Sequence, residues 1–328
     1  MAEHQPPDVV QLEADWTLLQ EAAAWPGLRS WPEVQHAALA ELAGTHGVDF
    51  ATAVLYDRVY RSTQHGPFIR RITELLPLPQ CELDVLLAVV PGAFYREAPE
   101  SGADGALLRE HAAAWGCRTA LIPTHSTGSV AENGRIIRDW LAERRHERIV
   151  LASLSKGAAD IKAALAARDG ATAFRPVVAW LNLSGLPAGT PVASWIRQGT
   201  LRQAAFRTLA WWRGIDFDVV RELAWGSGTA LDLPLALPPH VQLISVVGFP
   251  LQHHFTSRVL RYFHRRIAHL GPNDGLMLLA DACALPGLIY PVWCADHRLR
   301  PPGDVRGLVG ALAQYLAETL PTVAAPLP

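Results

Sequence analysis

The chain predicts an α/β protein on a mostly parallel, doubly wound sheet, and three observations carry that expectation. Unbroken apolar runs recur from Leu83 onward, and runs without polar alternation mark strands buried on both faces. Helical segments separate successive runs, as crossovers between parallel strands require. One run, Arg148 to Leu154, stops at Ser155-Lys156-Gly157 and restarts as an alanine-rich helical segment, which reads as a strand, a sharp turn and a helix.

Taken in order, residues from about 9 to 77 read as helical throughout. Val9 to Ala24 forms one helix, Ser30-Trp31-Pro32-Glu33 a cap and first turn, and Asp49 opens a longer stretch from Phe50 to Leu76. Pro77-Leu78-Pro79 closes this extension, placed at residues 1–80. The α/β domain, 81–328, starts with a strand at Leu83 to Val90, then a helix at Ala106 to Trp115 and a strand at Arg118 to Ile122. A helix at Ile136 to Arg145 leads to the strand before Ser155, and further strands fall at Val177 to Leu183, Val241 to Val247 and Leu288 to Cys294. The segment of about 195–237 is too long for a simple crossover and reads as a helical cap insertion. Its Trp195, Trp211, Trp212 and Trp225 either cover the site or act as packing anchors.

Composition narrows the partners. The 328 residues are half hydrophobic, with a formal net charge of −2 and no Lys/Arg run, so neither nucleic acid nor an anionic membrane is an expected partner. Met1 to Asp8 is polar and no apolar segment reaches the length of a membrane span, which predicts a soluble, cytoplasmic protein. Cys81, Cys117, Cys283 and Cys294 show no C-x-x-C spacing and read as free thiols rather than a zinc site. No metal or cofactor is expected, and oligomeric state is left open.

In doubly wound sheets ligands bind beyond the carboxyl ends of the strands. Those positions are Pro91-Gly92-Ala93, Thr124-His125, Ser155-Lys156, Gly185-Leu186-Pro187 and Asp296-His297. A serine held between strand end and helix start exposes its Oγ while the next backbone N–H points at the same space. Ser153 is the rival nucleophile, but its +2 residue is Ser155, whose Cβ crowds a turn that glycine tolerates. A serine hydroxyl needs an imidazole to take its proton and a carboxylate to fix the imidazole tautomer. Asp274, in a turn before Gly275, and His297, after the last strand, supply both in the order nucleophile, acid, histidine. The plainer readings are an Asx-type turn for Asp274 and a loop histidine for His297. His125 and His253-His254 follow other strand ends and are alternatives to His297. Lys156 is a cation at a helix N-terminus, opposed by the macrodipole. Either an i,i+4 pair with Asp160 holds it on the helix surface, or it faces the pocket and binds an acidic substrate group.

Asn273-Asp274-Gly275-Leu276 followed by His297 resembles the acid and histidine segments of bacterial triacylglycerol lipases. Leu183 to Pro191 is similar to the strand and loop after their nucleophile helix, and Val89-Val90-Pro91-Gly92-Ala93 stands where they carry an oxyanion loop. The resemblance spans roughly 83–300 in short blocks. It implies an α/β-hydrolase fold with Ser155 as nucleophile, Asp274 as acid, His297 as base and the N–H groups of Ala93 and Lys156 as the oxyanion hole. Phe94, His125, Trp211 and Trp212 are the expected substrate contacts. The chain departs from that family in having Ser153-Leu154-Ser155-Lys156-Gly157 for Gly-His-Ser-x-Gly, and Pro91-Gly92 for His-Gly. Arg298-Leu299-Arg300 follows His297 where secreted members carry a calcium-binding aspartate. The expected activity is hydrolysis of a carboxylic ester or thioester of a small, apolar acyl substrate through an acyl-enzyme. The alternatives are acyl transfer, or a catalytically silent fold that binds through its N-terminal helices.

Overall fold

A computed structural model describes residues 9–29, 31–76, 83–212, 217–300 and 305–320. Met1 to Asp8, Ser30, Pro77-Leu78-Pro79 and Cys81 lie outside the described residues. The chain opens with α1 (Val9–Ala24), α2 (His36–His46), α3 (Val48–Arg61) and α4 (Gly66–Leu75). The stretch expected to run unbroken from Phe50 to Leu76 is two helices. Ser62 turns to an extended conformation after Arg61, its Oγ accepts the His65 N–H at 2.8 Å, and α4 restarts with Pro67 in its first turn. Proline is accommodated there because no intrahelical N–H is required of it. The Arg58 guanidinium ties α3 to the end of α1, donating to the carbonyls of Trp25, Gly27 and Leu28 at 2.8–3.0 Å.

The α/β part follows as β1 (Leu86–Val90), α5 (Ala106–Ala114), β2 (Arg118–Leu121), α6 (Val130–Ala142), β3 (Ile149–Leu154), α7 (Gly157–Ala166), α8 (Gly170–Ala173) and β4 (Val177–Leu183). Between β4 and β5 lie α9 (Pro191–Arg197), α10 (Thr200–Trp212) and α11 (Asp218–Glu222), which span most of the stretch expected to be an insertion. The last stretch is β5 (Gln242–Phe249), α12 (Arg258–Ile267), α13 (Leu279–Cys283), β6 (Leu288–Trp293) and α14 (Val305–Thr319). Helix α6 begins well before the Ile136 expected, because Ser129 caps it by accepting the Glu132 N–H at 3.1 Å.

All strand pairs are parallel, in the order β2-β1-β3-β4-β5-β6. Residues of β1 alternate between two cores. Leu87 and Val89 pack with Val150, Leu181 and Val246 against α5 and α14, whereas Leu86, Ala88 and Val90 pack with Leu151 and Trp180 against α6 and α7. The N-terminal helices share the first of these cores through Leu39, Leu55, Val59, Phe68 and Ile72. Tyr56 meets Phe249 and Trp293 at centroid distances of 5.6 and 4.8 Å, so the extension covers the β5–β6 end of the sheet. Among the described residues no helix is long and apolar enough to cross a membrane.

Candidate active site

Leu154 ends β3 and Ser155 takes a left-handed backbone, φ +48°, which is strained for a residue with a Cβ. Two backbone bonds hold it there: Ser155 N–H donates to Leu183 O at 3.4 Å and Leu186 N–H to Ser155 O at 2.9 Å. Gly157 is demanded by close approach, since a Cβ there would sit 2.5 Å from Val90 O and 2.9 Å from Pro91 O. The loop after β1 therefore passes directly over the turn. The N–H groups of Ala93 and Lys156 have no acceptor among the described residues.

Three side chains distant in sequence meet at this turn. His297 Nε2 is 3.0 Å from Ser155 Oγ, and His297 Nδ1 is 2.9 Å from Asp274 Oδ2. Asp274 is fully buried, its Oδ1 accepts the N–H groups of Leu276 and Met277 at 3.0 and 2.7 Å, and its carbonyl accepts the His297 N–H at 3.0 Å. Those bonds aim Oδ2 at the imidazole, which places the proton on Nδ1 and leaves Nε2 free to accept from Ser155. Asn273 shapes the turn, its Oδ1 accepting from Gly275 N–H at 3.1 Å and its Nδ2 donating to Gly271 O at 3.1 Å. The buried His264, 3.0 Å from Asn273 Oδ1 through Nδ1, braces it from α12, and burial pushes its imidazole below the ordinary range. A lone histidine on a basic helix carries no sequence signal of that role.

Lys156 makes the expected i,i+4 pair, but in the interior rather than on the helix surface. Nζ lies 2.6 Å from Asp160 Oδ1 with both side chains 1 % exposed, and Asp160 Oδ2 accepts from Asn133 Nδ2 at 3.0 Å. The ammonium is thus committed to Asp160, which corrects the reading in which it meets an acidic substrate group. Burial pushes the Asp160 carboxyl up to about 6, against the opposing pull of the Lys156 charge. Asn133 continues the network by accepting the His125 N–H at 2.8 Å. The His125 ring itself is exposed, 3.4 Å from a Glu132 carboxylate oxygen.

Ser153, the rival serine, is fully buried. Its Oγ accepts from Trp180 Nε1 at 2.8 Å and donates to Asn182 Oδ1 at 3.2 Å, so its hydroxyl is spent on structure. Phe94, with φ +62°, packs with Val130, Ala159, Val219 and Leu223, joining α7 to the insertion beside Ala93. Trp212 is 74 % exposed at the end of α10, and the Trp211 side chain lies outside the described residues. Trp195 and Trp225 are packing anchors. The Arg202 guanidinium stacks over Trp195 at 4.4 Å, and Trp225 Nε1 donates to Asp281 at 3.2 Å.

The other histidine pair is drawn to α1. Asp15, 6 % exposed, lies 3.1 Å from His253 Nε2 and 2.7 Å from His254 Nε2, with Cys294 Sγ 3.9 Å away. Asp15, His254 and Cys294 are spaced as metal ligands could be, but their protons argue for a hydrogen-bonded cluster. His254 Nδ1 accepts the Leu251 N–H at 2.9 Å, which puts the ring proton on Nε2, facing Asp15. Burial pushes the Cys294 thiol up to about 12, so it sits beside Asp15 as the neutral thiol. Cys117 is buried, Cys283 is free and buried, and Cys294 is free and half-buried.

No family model matches the chain. No curated protein matches it either. Solved structures do. The metagenomic carboxyl esterase MGS0156 is 24 % identical at a TM-score of 0.52, over 74 % of this chain and 78 % of that one. The mature lipase BlEst2 of Bacillus licheniformis is 18 % identical at 0.53, over 74 % and 95 %. Lipase 1 of Pelosinus fermentans is 11 % identical at 0.50, over 72 % and 99 %. At these identities the likeness is one of fold, and the fold is that of the α/β-hydrolases.

Proposed function

We propose that the protein is a serine hydrolase that cleaves a carboxylic ester or thioester through an acyl-enzyme. The observation that carries this reading is the line Ser155 Oγ, His297, Asp274, with separations of 3.0 and 2.9 Å at a strained strand-to-helix turn. The esterase and lipases of like fold support ester bonds as the target.

In this mechanism Ser155 Oγ attacks the acyl carbon as His297 Nε2 takes its proton. The tetrahedral oxyanion accepts from the N–H groups of Ala93 and Lys156, dipoles already aimed before charge develops. His297 then protonates the leaving group as the acyl–heteroatom bond breaks. Water, deprotonated by His297, attacks the acyl-enzyme and releases the acid and Ser155. Asp274 stays ionised and stabilises the imidazolium. Phe94 and the apolar insertion residues packed on it, Val219 and Leu223, form the wall against which an apolar acyl group would rest.

Labelling with an alkyl fluorophosphonate, mapped by mass spectrometry, tests the reading. The label is expected on Ser155, lost in His297→Gln and retained in Ser153→Ala, which removes the buried bonds to Trp180 and Asn182 but none to Ser155. A folded protein that takes no label, or takes it at Ser153, would overturn the proposal.

A further inference from the structure

A large cavity lies away from the candidate catalytic centre, between the sheet and the helices of one face. Its volume is about 800 Å³, within the range of small-molecule sites. Leu87, Val150 and Leu181 floor it from the strands, while Ala112 of α5 and Leu312 and Ala313 of α14 roof it. Neither Ser155, His297, Ala93 nor Phe94 borders it. It touches the frame of that centre at Leu154, the residue before Ser155, and at Leu299, on the turn that carries His297.

Apolar space of this size loses dispersion contacts when nothing fills it, and water gains too few partners there to compensate. The lining is mostly apolar, with Ser101, Thr256 and Tyr290 and two cations among it. Arg298 and Arg300 border the cavity at the turn after His297 and both are exposed. Neither forms an ion pair among the described residues, and the Arg300 guanidinium makes only a 3.4 Å contact with Glu100 O. Two uncommitted guanidiniums at the rim of an apolar chamber match one chemistry: a carboxylate at the rim and a hydrocarbon chain within.

We infer that this cavity is a binding site for a long-chain fatty acid, with the chain between the sheet and α14 and the carboxylate on Arg298 and Arg300. The inference does not depend on the proposed hydrolysis, because the site is not the one that holds the scissile bond. A ligand seated there rests against Leu299, whose φ is +53°, on the turn that presents His297.

The test is calorimetric titration of the full chain bearing Ser155→Ala with dodecanoate below its micelle concentration, beside dodecanol. One saturable site is expected for the acid. Arg298→Ala with Arg300→Ala should weaken the acid by roughly ten- to a hundredfold, the worth of one charge-assisted interaction, and leave dodecanol unchanged. Ala313→Phe, which fills the chamber, should weaken both ligands, with circular dichroism and thermal melting confirming the fold. Val150→Phe serves as a second filling variant should Ala313→Phe fail to fold. No saturable binding to folded protein, equal effects of the arginine pair on acid and alcohol, or binding insensitive to both fillings would overturn the assignment. So would loss of binding on fluorophosphonate labelling of Ser155 in the parent, which would place the ligand in the active site itself.

Discussion

Removing Asp160 isolates a buried cation directly beside the proposed nucleophile. Lys156 Nζ and Asp160 Oδ1 are 2.6 Å apart with 1 % of either side chain exposed. An exposed i,i+4 pair of this kind is worth only about 0.3–0.5 kcal/mol. Truncating one partner of a buried pair typically costs about 3–5 kcal/mol, because the other charge is left desolvated. Asp160→Ala is therefore expected to lower unfolding free energy by roughly 3–5 kcal/mol, read from urea midpoints at unchanged slope. The opposite truncation, Lys156→Met, has an escape route. Asp160 already titrates near 6 and keeps its bond from Asn133, so it can be buried as the neutral acid. Its folded-state value lies above the ordinary 3.8, hence the folded form holds the proton more tightly. The stability of Lys156→Met should accordingly be highest at low pH and fall as pH rises through and beyond about 6. The double variant Lys156→Met, Asp160→Leu should recover most of the loss. It should still take the fluorophosphonate label, because position 156 supplies its backbone N–H whatever its side chain. A cost below about 1 kcal/mol for Asp160→Ala, or a double variant as unstable as the single, would refute the reasoning.

Two further substitutions read other parts of the structure. Gly157→Ala places a Cβ 2.5 Å from Val90 O and should force the loop carrying Ala93 off the turn. The expected result is a destabilisation of about 1–3 kcal/mol and a labelling rate lower by roughly a hundred- to a thousandfold; near-normal labelling would argue against Ala93 as an oxyanion donor. His65 sits against Trp31 at 4.9 Å with neither ring nitrogen bonded among the described residues, and burial pushes it down to about 4. The unfolded chain therefore binds a proton between pH 6.5 and about 4 that the folded chain refuses. Stability should fall across that window as pH drops, by up to about 3 kcal/mol. His65→Leu should flatten that limb of the urea midpoint against pH, and an unchanged limb would assign it to other groups.

Several features were legible because they are local. The run Val177–Leu183 is read at its observed boundaries, since a strand buried on both faces is apolar without interruption. The turn at Ser155 is visible because glycine two residues on is what a crossing backbone allows. Other features were hidden because neighbours from elsewhere decide them. Ser62 and Pro67 divide α3 from α4 within a stretch that is otherwise helical in composition. The spacing of Lys156 and Asp160 announces a pair, but α6 and Asn133 make it an interior one. Asp15 gives no hint in α1 of the two histidines it meets after β5.

The α/β class, the strand runs, the sharp turn at Ser155 and the chain order of serine, aspartate and histidine follow from local pattern, because backbone preference and burial period act over a few neighbouring residues. Packing between distant elements is what brings Ser155 and His297, 142 positions apart, within hydrogen-bond reach, turns Lys156 inward and leaves a chamber between sheet and α14. Those outcomes depend on how the strands order themselves and which helix faces close over them, and that free energy is shared among contacts too far apart along the chain for any local pattern to record.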